Sequence, residues 1–258
     1  MSLFSKNLQG FQNLVGLFVI QPPRYIKSHR KHKKLLFVKN LESTPFISMK
    51  PFLVKYPSIL RKLYPHRITR LEAPKSLYLT FDDGPIPAIT PWVLRLLHDY
   101  NAKATFFCIG DNIKKNPDAF QQIIQQGHRI GNHTFNHLNG WKTSEENYVK
   151  NTVLAEQEIE KFKKEEIKFF RPPYGKITNS QAKKLVQLKY KIVMWDVLSG
   201  DFDQTISAEK CYNHVIKNTK AGSTIVFHDS IKASKNLKNV LPKVLKYYAE
   251  KGYRFEAL

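Results

Sequence analysis

Five short stretches of this 258-residue chain carry side chains that could do chemistry together. The first is Thr80-Phe81-Asp82-Asp83-Gly84-Pro85, two adjacent carboxylates ahead of a Gly-Pro turn signal. Neighbouring residues at a strand end point to opposite faces, so the two should do different work. One as a cation ligand and the other as a free base fits, because carboxylates brought together need a cation or a proton. The second stretch, His133-Thr134-Phe135-Asn136-His137, sets two imidazoles four residues apart, on one face if the segment is helical. With Asp83 they make a three-ligand set with one position open, the arrangement of a catalytic zinc rather than a structural one. Thr134 stands where a zinc protease of the HExxH type has its glutamate, which excludes that class. A base must come from elsewhere, and Asp82 is free to serve.

The third stretch, Arg171-Pro172-Pro173-Tyr174-Gly175, is a proline-stiffened loop from which a fixed Arg171 can orient a carboxylate. The fourth, Trp195 to Asp203, supplies Asp196, Asp201 and Asp203. The fifth, Val226-Phe227-His228-Asp229, ends an apolar run in His228, a candidate general acid that one of those three aspartates would orient. Singly, each has a plain structural reading as an acidic turn, a surface arginine or a core histidine. Their placement is what raises them above it.

Each stretch falls at or just past the end of a predicted strand. Leu77, Leu79 and Phe81 alternate with Tyr78 and Thr80, the period of two that marks a strand running into Asp82. Ala104 to Ile109, a short run near His128 to Ile130, Lys168 to Phe170, Lys191 to Asp196, Thr224 to Phe227 and Tyr253 to Glu256 complete about seven. Helices are expected between them. One opens at Thr90-Pro91 with Thr90 as N-cap, and one begins at Asn116-Pro117 and closes at Gly127. Thr143-Ser144-Glu145-Glu146 reads as a capping box for the longest helix, to about Lys164. Others run from Asn179 to Leu188, from Ser207 to Asn218 and from Leu241 to Glu250. Strand and helix in alternation mean parallel strands covered by helices, and in such folds the C-terminal strand edge carries the active site.

The chain has a net charge of +21, distributed unevenly. Residues 1–75 hold fifteen Lys and Arg against two acids, Glu42 and Glu72, and so contribute thirteen of those charges. Residues 1–48 read as a flexible basic extension, with Met49 as an alternative start. Residues 49–75 read as a lead-in packing on the domain, with a short helix around Ser58 to Tyr64. The apolar run Leu14 to Ile20 is too short to span a bilayer, and Gln21-Pro22-Pro23 follows it where a signal peptide would have small residues. The basic arm suits an anionic cell-envelope surface. Specific nucleic-acid binding would need a recognised motif or a basic stripe with interleaved aromatics, and only Arg30 to Lys34 is a basic cluster. Cys108 and Cys211 lack metal-motif spacing and read as small buried hydrophobes.

In order, TFDDGP, HTFNH, RPPYG, WDVLSGDFD and IVFHD resemble the five motifs of the polysaccharide deacetylases with a NodB-homology domain, carbohydrate esterase family four. The likeness spans Ser76 to Leu258. It implies a distorted (β/α) barrel and hydrolysis of acetyl groups, most often from amino sugars. It further implies Asp82 as catalytic base, Asp83, His133 and His137 as ligands of one divalent metal (zinc first, then cobalt, nickel or manganese), and Arg171 as the group positioning the base. Tyr174 would offer its backbone N–H to the oxyanion, and His228 would be the catalytic acid with Asp201 as partner. Trp141, Tyr174, Trp195 and Phe202 are rings able to stack on sugar faces. Val226 joins Tyr174, Trp195 and Phe202 as the expected substrate-binding set. Phe202 departs from the family pattern, which usually has an aspartate–tryptophan pair there. An O-acetyl esterase acting on xylan and a catalytically silent carbohydrate-binding module are the competing readings.

Overall fold

The structure, a computed structural model, describes residues 52–258. The expected basic extension, residues 1–48, lies outside them. A short helix α1 (Ser58–Leu63) precedes β1 (Ser76–Asp82), α2 (Thr90–Asp99), β2 (Ala104–Cys108), α3 (Gly110–Lys115), α4 (Pro117–Gln125) and β3 (Arg129–Asn132). Then come α5 (Glu145–Glu160), β4 (Lys168–Phe170), α6 (Asn179–Gln187), β5 (Tyr190–Ile192) and β6 (Val197–Leu198). The chain closes with α7 (Ala208–Asn218), β7 (Thr224–His228), α8 (Ser234–Glu250) and β8 (Arg254–Phe255).

Every strand pairing is parallel, in the order β5-β4-β3-β2-β1-β7-β6, with β8 on the start of β1. The sheet curls into the distorted (β/α) barrel that the alternation predicts, left open between β5 and β6. All seven residues of β1 are buried, as a central strand covered on both faces should be. Leu77, Leu79 and Phe81 join the main apolar core, which α2 supplies with Val93, Leu94 and Leu97 and α8 with Leu237, Val240, Leu241, Val244 and Leu245. Thr80 and Asp82 face the other way, into the barrel, where Arg171 meets both. This division of faces sets polar groups at the mouth of an otherwise apolar sheet.

The lead-in bridges the opening between β5 and β6. Ile68 pairs with Val193, Lys55 with Val197 and Arg70 with Ser223. Asp196, fully buried, anchors it by accepting from Lys55 Nζ at 2.8 Å, Arg61 at 2.7 Å and the Ser223 hydroxyl at 2.5 Å. Burial pushes the Asp196 carboxyl up, but Lys55, Ser223 and Arg61 outweigh it and hold it below its ordinary value. Asp196 is therefore committed to the lead-in and is not the aspartate that orients His228. The same wedge corrects the expected strand Lys191 to Asp196. Pairing stops at Ile192, the Met194 N–H goes to the Ile68 carbonyl at 2.7 Å, and a separate strand resumes at Val197.

Other elements differ from expectation in detail. Thr90 is already helical and Ile89 is the N-cap, because the Thr90 hydroxyl is taken up by Ile86 N–H and Asp229. Ser144, not Thr143, caps α5, and the helix stops at Glu160. At 16 residues it is shorter than the 17-residue α8, whose internal Pro242 disguises its length in the sequence. Among the described residues no helix is long and apolar enough to cross a membrane.

The Asp196 anchor makes a stability prediction. Asp196→Ala should lower unfolding free energy by about 2 kcal/mol, a discounted figure because Lys55 and Arg61 are each over a third exposed. Since the native carboxyl is held low, its contribution is complete above the unfolded value near pH 4 and fades as pH falls through the native one. Urea midpoints of parent and variant should thus differ at pH 7 and converge in acid. Equal midpoints at pH 7 would show that the lead-in needs no such anchor.

Candidate active site

Asp82 ends β1, His133 follows β3, Arg171 follows β4, Asp201 lies beyond β6 and His228 ends β7. One sheet edge therefore presents all five stretches, and the geometry there divides into three parts.

The first is a buried ion pair. Arg171, 3% exposed, donates from Nη1 to Asp82 Oδ1 and to the Thr80 hydroxyl, both at 2.7 Å, and from Nη2 to the Met194 carbonyl at 2.9 Å. Its guanidinium lies 4.1 Å from the centre of the Phe107 ring. Burial pulls the arginine pKa down and the Asp82 charge opposes that. It is an interior residue, where an isolated reading of the loop puts it on the surface.

The second part is a cluster of possible metal ligands. Asp83, His133 and His137 each bring one ligand atom to within 4.8 Å of the others. Asp83 Oδ1 lies 3.3 Å from His137 Nε2 and 3.8 Å from His133 Nε2, and it is buried with no hydrogen-bond partner of good geometry among the described residues. A buried carboxylate oxygen without a donor is costly, and a cation would satisfy it. His133 Nδ1 sits 2.7 Å from the Arg171 carbonyl, which fixes that nitrogen as the N–H and leaves the Nε2 lone pair facing Asp83. Burial brings His133 down to about 4, so its imidazole is neutral, as a ligand must be. His137 likewise turns Nδ1 to the Tyr174 hydroxyl at 3.1 Å. Burial pushes the Asp83 carboxyl up, yet the imidazoles of His137, His228 and His133 reverse this and hold it well below the usual range. The donor set fits a divalent ion.

The His133 to His137 segment is not helical, so the condition under which the spacing would put both rings on one helix face does not hold. Thr134 and His137 have φ of +64° and +55°, in the left-handed region. Side chains that sequence reasoning missed hold it there. Asn132 Oδ1 accepts from Thr134 N–H, and Asn151 Oδ1 from both Phe135 and Asn136 N–H. Asn151 is a half-helix away in α5, and its one sequence signal is a polar residue on that helix's buried face.

The third part is His228, whose Nδ1 meets Asp201 Oδ1 at 2.8 Å while its backbone N–H goes to Asp201 Oδ2 at 2.8 Å. Burial would lower its pKa, but Asp201, with help from Asp83 and Asp82, raises it to about 9. Asp203 instead accepts from Thr205 within its own turn. Asp229, the next residue after His228, was not singled out from sequence. It is fully buried, pushed up to about 7 by burial, and accepts from Gly84 N–H and Thr90.

Around these parts lie the expected wall residues. Tyr174, 62% exposed, sits in the left-handed region at φ +59° with its ring 4.5 Å from that of His137. Gly175 follows it because a Cβ there would meet the Trp195 ring at 2.7 Å. Trp195 is half-buried and donates Nε1–H to the Leu53 carbonyl, so much of it serves the lead-in. Phe202 packs edge-on against His228 at 5.1 Å and against Phe52 at 5.2 Å. Val226 is 2% exposed on the strand face of His228, which gives it packing beneath the site and almost no surface for sugar. Trp141 is exposed, with Lys176 Nζ 5.2 Å from its ring.

A family model described as polysaccharide deacetylase matches residues 70–193. A peptidoglycan-N-acetylglucosamine deacetylase of Bacillus cereus is 38% identical over 202 residues, covering 76% of this chain and 94% of that protein. A chitooligosaccharide deacetylase of Azorhizobium caulinodans is 34% identical over 63% of this chain and 77% of its own. The crystal structure of a peptidoglycan N-acetylglucosamine deacetylase in complex with a naphthalenyl N-hydroxybenzamide aligns with a TM-score of 0.72 and 33% identity, covering 79% of this chain and 95% of that one.

If the cluster holds one ion, the full-length chain should take up one zinc equivalent, and His137→Ala should lose most of it with the fold intact, since His137 is a half-exposed loop residue. Unchanged stoichiometry by elemental mass spectrometry would remove His137 from the site.

Proposed function

The chain belongs to the polysaccharide deacetylase family, and from that premise we propose that it is a metal-dependent hydrolase of N-acetyl groups on amino-sugar residues of a peptidoglycan- or chitin-like polymer. Enzymes of this class act on carbon–nitrogen bonds other than peptide bonds. The observation that carries the proposal is the convergence of a paired carboxylate, a three-ligand cluster and a paired imidazole on one strand edge. A binding module has no use for an acid opposite a metal site. The names of the relatives, which act on peptidoglycan and chitooligosaccharide, favour an N-acetyl substrate.

Asp83, His133 and His137 would hold the ion, and two imidazoles with one carboxylate suit zinc best. Such an ion would acidify a bound water and polarise the acetyl carbonyl. Asp82, fixed by Arg171, accepts the proton as water attacks the amide carbon. The Tyr174 N–H, which engages no backbone carbonyl among the described residues, donates to the developing oxyanion. His228 presents Nε2 while Asp201 occupies Nδ1, and being cationic at neutral pH it donates a proton to the leaving amine. Phe202 and Tyr174 flank the acid and the ligand cluster as apolar walls.

Purified, zinc-loaded chain should release acetate from N-acetylated chitin oligomers or peptidoglycan fragments. Absence of acetate from these, with release from acetylated xylan, would replace the amide reading with the ester one. Asp82→Asn and His228→Ala should each lower kcat by about 10²–10⁴-fold with metal still bound. Near-normal kcat in the metal-loaded Asp82→Asn chain would remove Asp82 as the base.

The pH dependence follows from His228. Activity should fall on the alkaline side as His228 loses its proton, towards pH 9. A cation on the triad offsets the Asp83 charge and draws this limb below 9. Asp201→Asn removes the main support for the imidazolium and should shift the limb down by about one to three pH units. A limb that stays put in Asp201→Asn would mean that some other group sets it.

A further inference from the structure

The candidate metal cluster meets the fold at one residue, Asp83, whose backbone is strained. Its φ of +79° is a left-handed conformation that an aspartate visits singly and that persists only where its surroundings impose it. Four hydrogen bonds impose it here. The Asp82 carbonyl accepts from the Asp229 N–H at 3.1 Å, and the Asp83 carbonyl accepts from Asn112 Nδ2 at 2.7 Å. The Gly84 N–H donates to Asp229 Oδ1 at 3.0 Å, and the Gly84 carbonyl accepts from the Ile109 N–H at 3.0 Å. Both peptide groups flanking Asp83 are therefore tied, one carbonyl and one N–H by side chains.

Those two side chains come from separate elements, Asn112 from α3 and Asp229 from just beyond β7. Asp229 is itself immobilised, since its Oδ2 accepts the Thr90 hydroxyl at 2.5 Å. The fit is close enough that a Cβ on Gly84 would lie 2.0 Å from Asp229 Oδ2, so only glycine can follow Asp83. Among the described residues no cationic side chain pairs with Asp229, although it is fully buried.

We propose that Asp229 and Asn112 are positioning residues of the metal centre, which together hold the strained Asp83 peptides so that its carboxylate faces His133 and His137. The inference rests on the metal reading of that triad. Neither residue touches the ion or the substrate, and each acts through the backbone of Asp83. A purely structural role would lower thermal stability and leave metal binding as it is.

The test is metal binding, with no substrate involved. Full-length chain stripped of metal would be titrated with Zn²⁺ against a chromophoric chelator, and with Co²⁺ for its visible absorption bands. Asn112→Ala and Asp229→Ala should each weaken zinc binding by about 10- to 100-fold and alter the Co²⁺ bands, the size expected when a ligand loses its support. Asp229→Asn keeps an oxygen for the Gly84 N–H and should lose less than Asp229→Ala. Parental zinc affinity and parental Co²⁺ bands in both alanine variants would overturn the inference and leave the triad standing. A parent chain that binds neither ion would overturn the triad and the inference with it. Should Asp229→Ala fail to fold, Asn112→Ala decides alone, because Asn112 is only partly buried.

Discussion

One buried guanidinium ties the site to the barrel. Arg171 reaches Thr80 and Asp82 on β1, the Met194 carbonyl past β5 and the face of Phe107 on β2, while its own carbonyl fixes the tautomer of His133. A charge at 3% exposure is tolerable only if paired and hydrogen-bonded, and here Asp82 supplies the counter-charge. Among the described residues the Arg171 Nε has no partner, so the pair is not optimised for stability alone. A pair of apolar residues would pack the barrel interior at less cost. The ion pair makes more sense as what it does for two neighbours at once, holding Asp82 in place and turning His133 Nε2 towards Asp83.

Much of this was legible in the sequence because parallel α/β folds give strand ends a fixed meaning. Once Leu77, Leu79 and Phe81 are read as a strand by their alternation, Asp82 must lie at its C-terminal edge, and the same holds for Arg171 and His228. Residue chemistry at those ends then limits the choices. The apolar runs Ala104 to Ile109 and Thr224 to Phe227 match β2 and β7 to within a residue, and Ser207 and Asn116-Pro117 mark helix starts correctly.

What stayed hidden depends on contacts between distant segments. Nothing local in Lys191 to Asp196 reveals that Ile68 and Lys55 will interrupt it, because the interruption is made by chain more than a hundred residues earlier. The histidine loop is similar. Two imidazoles four apart look helical by spacing, yet the convergence comes from left-handed turns at Thr134 and His137 that buried Asn132 and Asn151 enforce. Left-handed φ at Asp83, Thr134, His137 and Tyr174 gathers strain around the candidate centre, and a propensity-based reading cannot see strain that tertiary contacts impose.

The two ion pairs of the site also bear on how one strand edge would keep the proposed proton-transfer roles apart. Asp82 and His228 end the neighbouring strands β1 and β7 and are direct register partners. Left alone, a carboxylate and an imidazole so placed would pair with each other and neutralise the acid and the base together. Each is instead claimed by a separate buried partner, Asp82 by Arg171 on the β4 side and His228 by Asp201 on the β6 side. The partners lie on opposite sides of the β1–β7 pair, Arg171 after β4 and Asp201 after β6. Arg171 holds the Asp82 carboxylate by a charge-assisted hydrogen bond, while Asp201 favours the imidazolium form of His228. Under the roles proposed for them, separate pairing would let Asp82 take a proton and its register partner His228 deliver one within the same cycle.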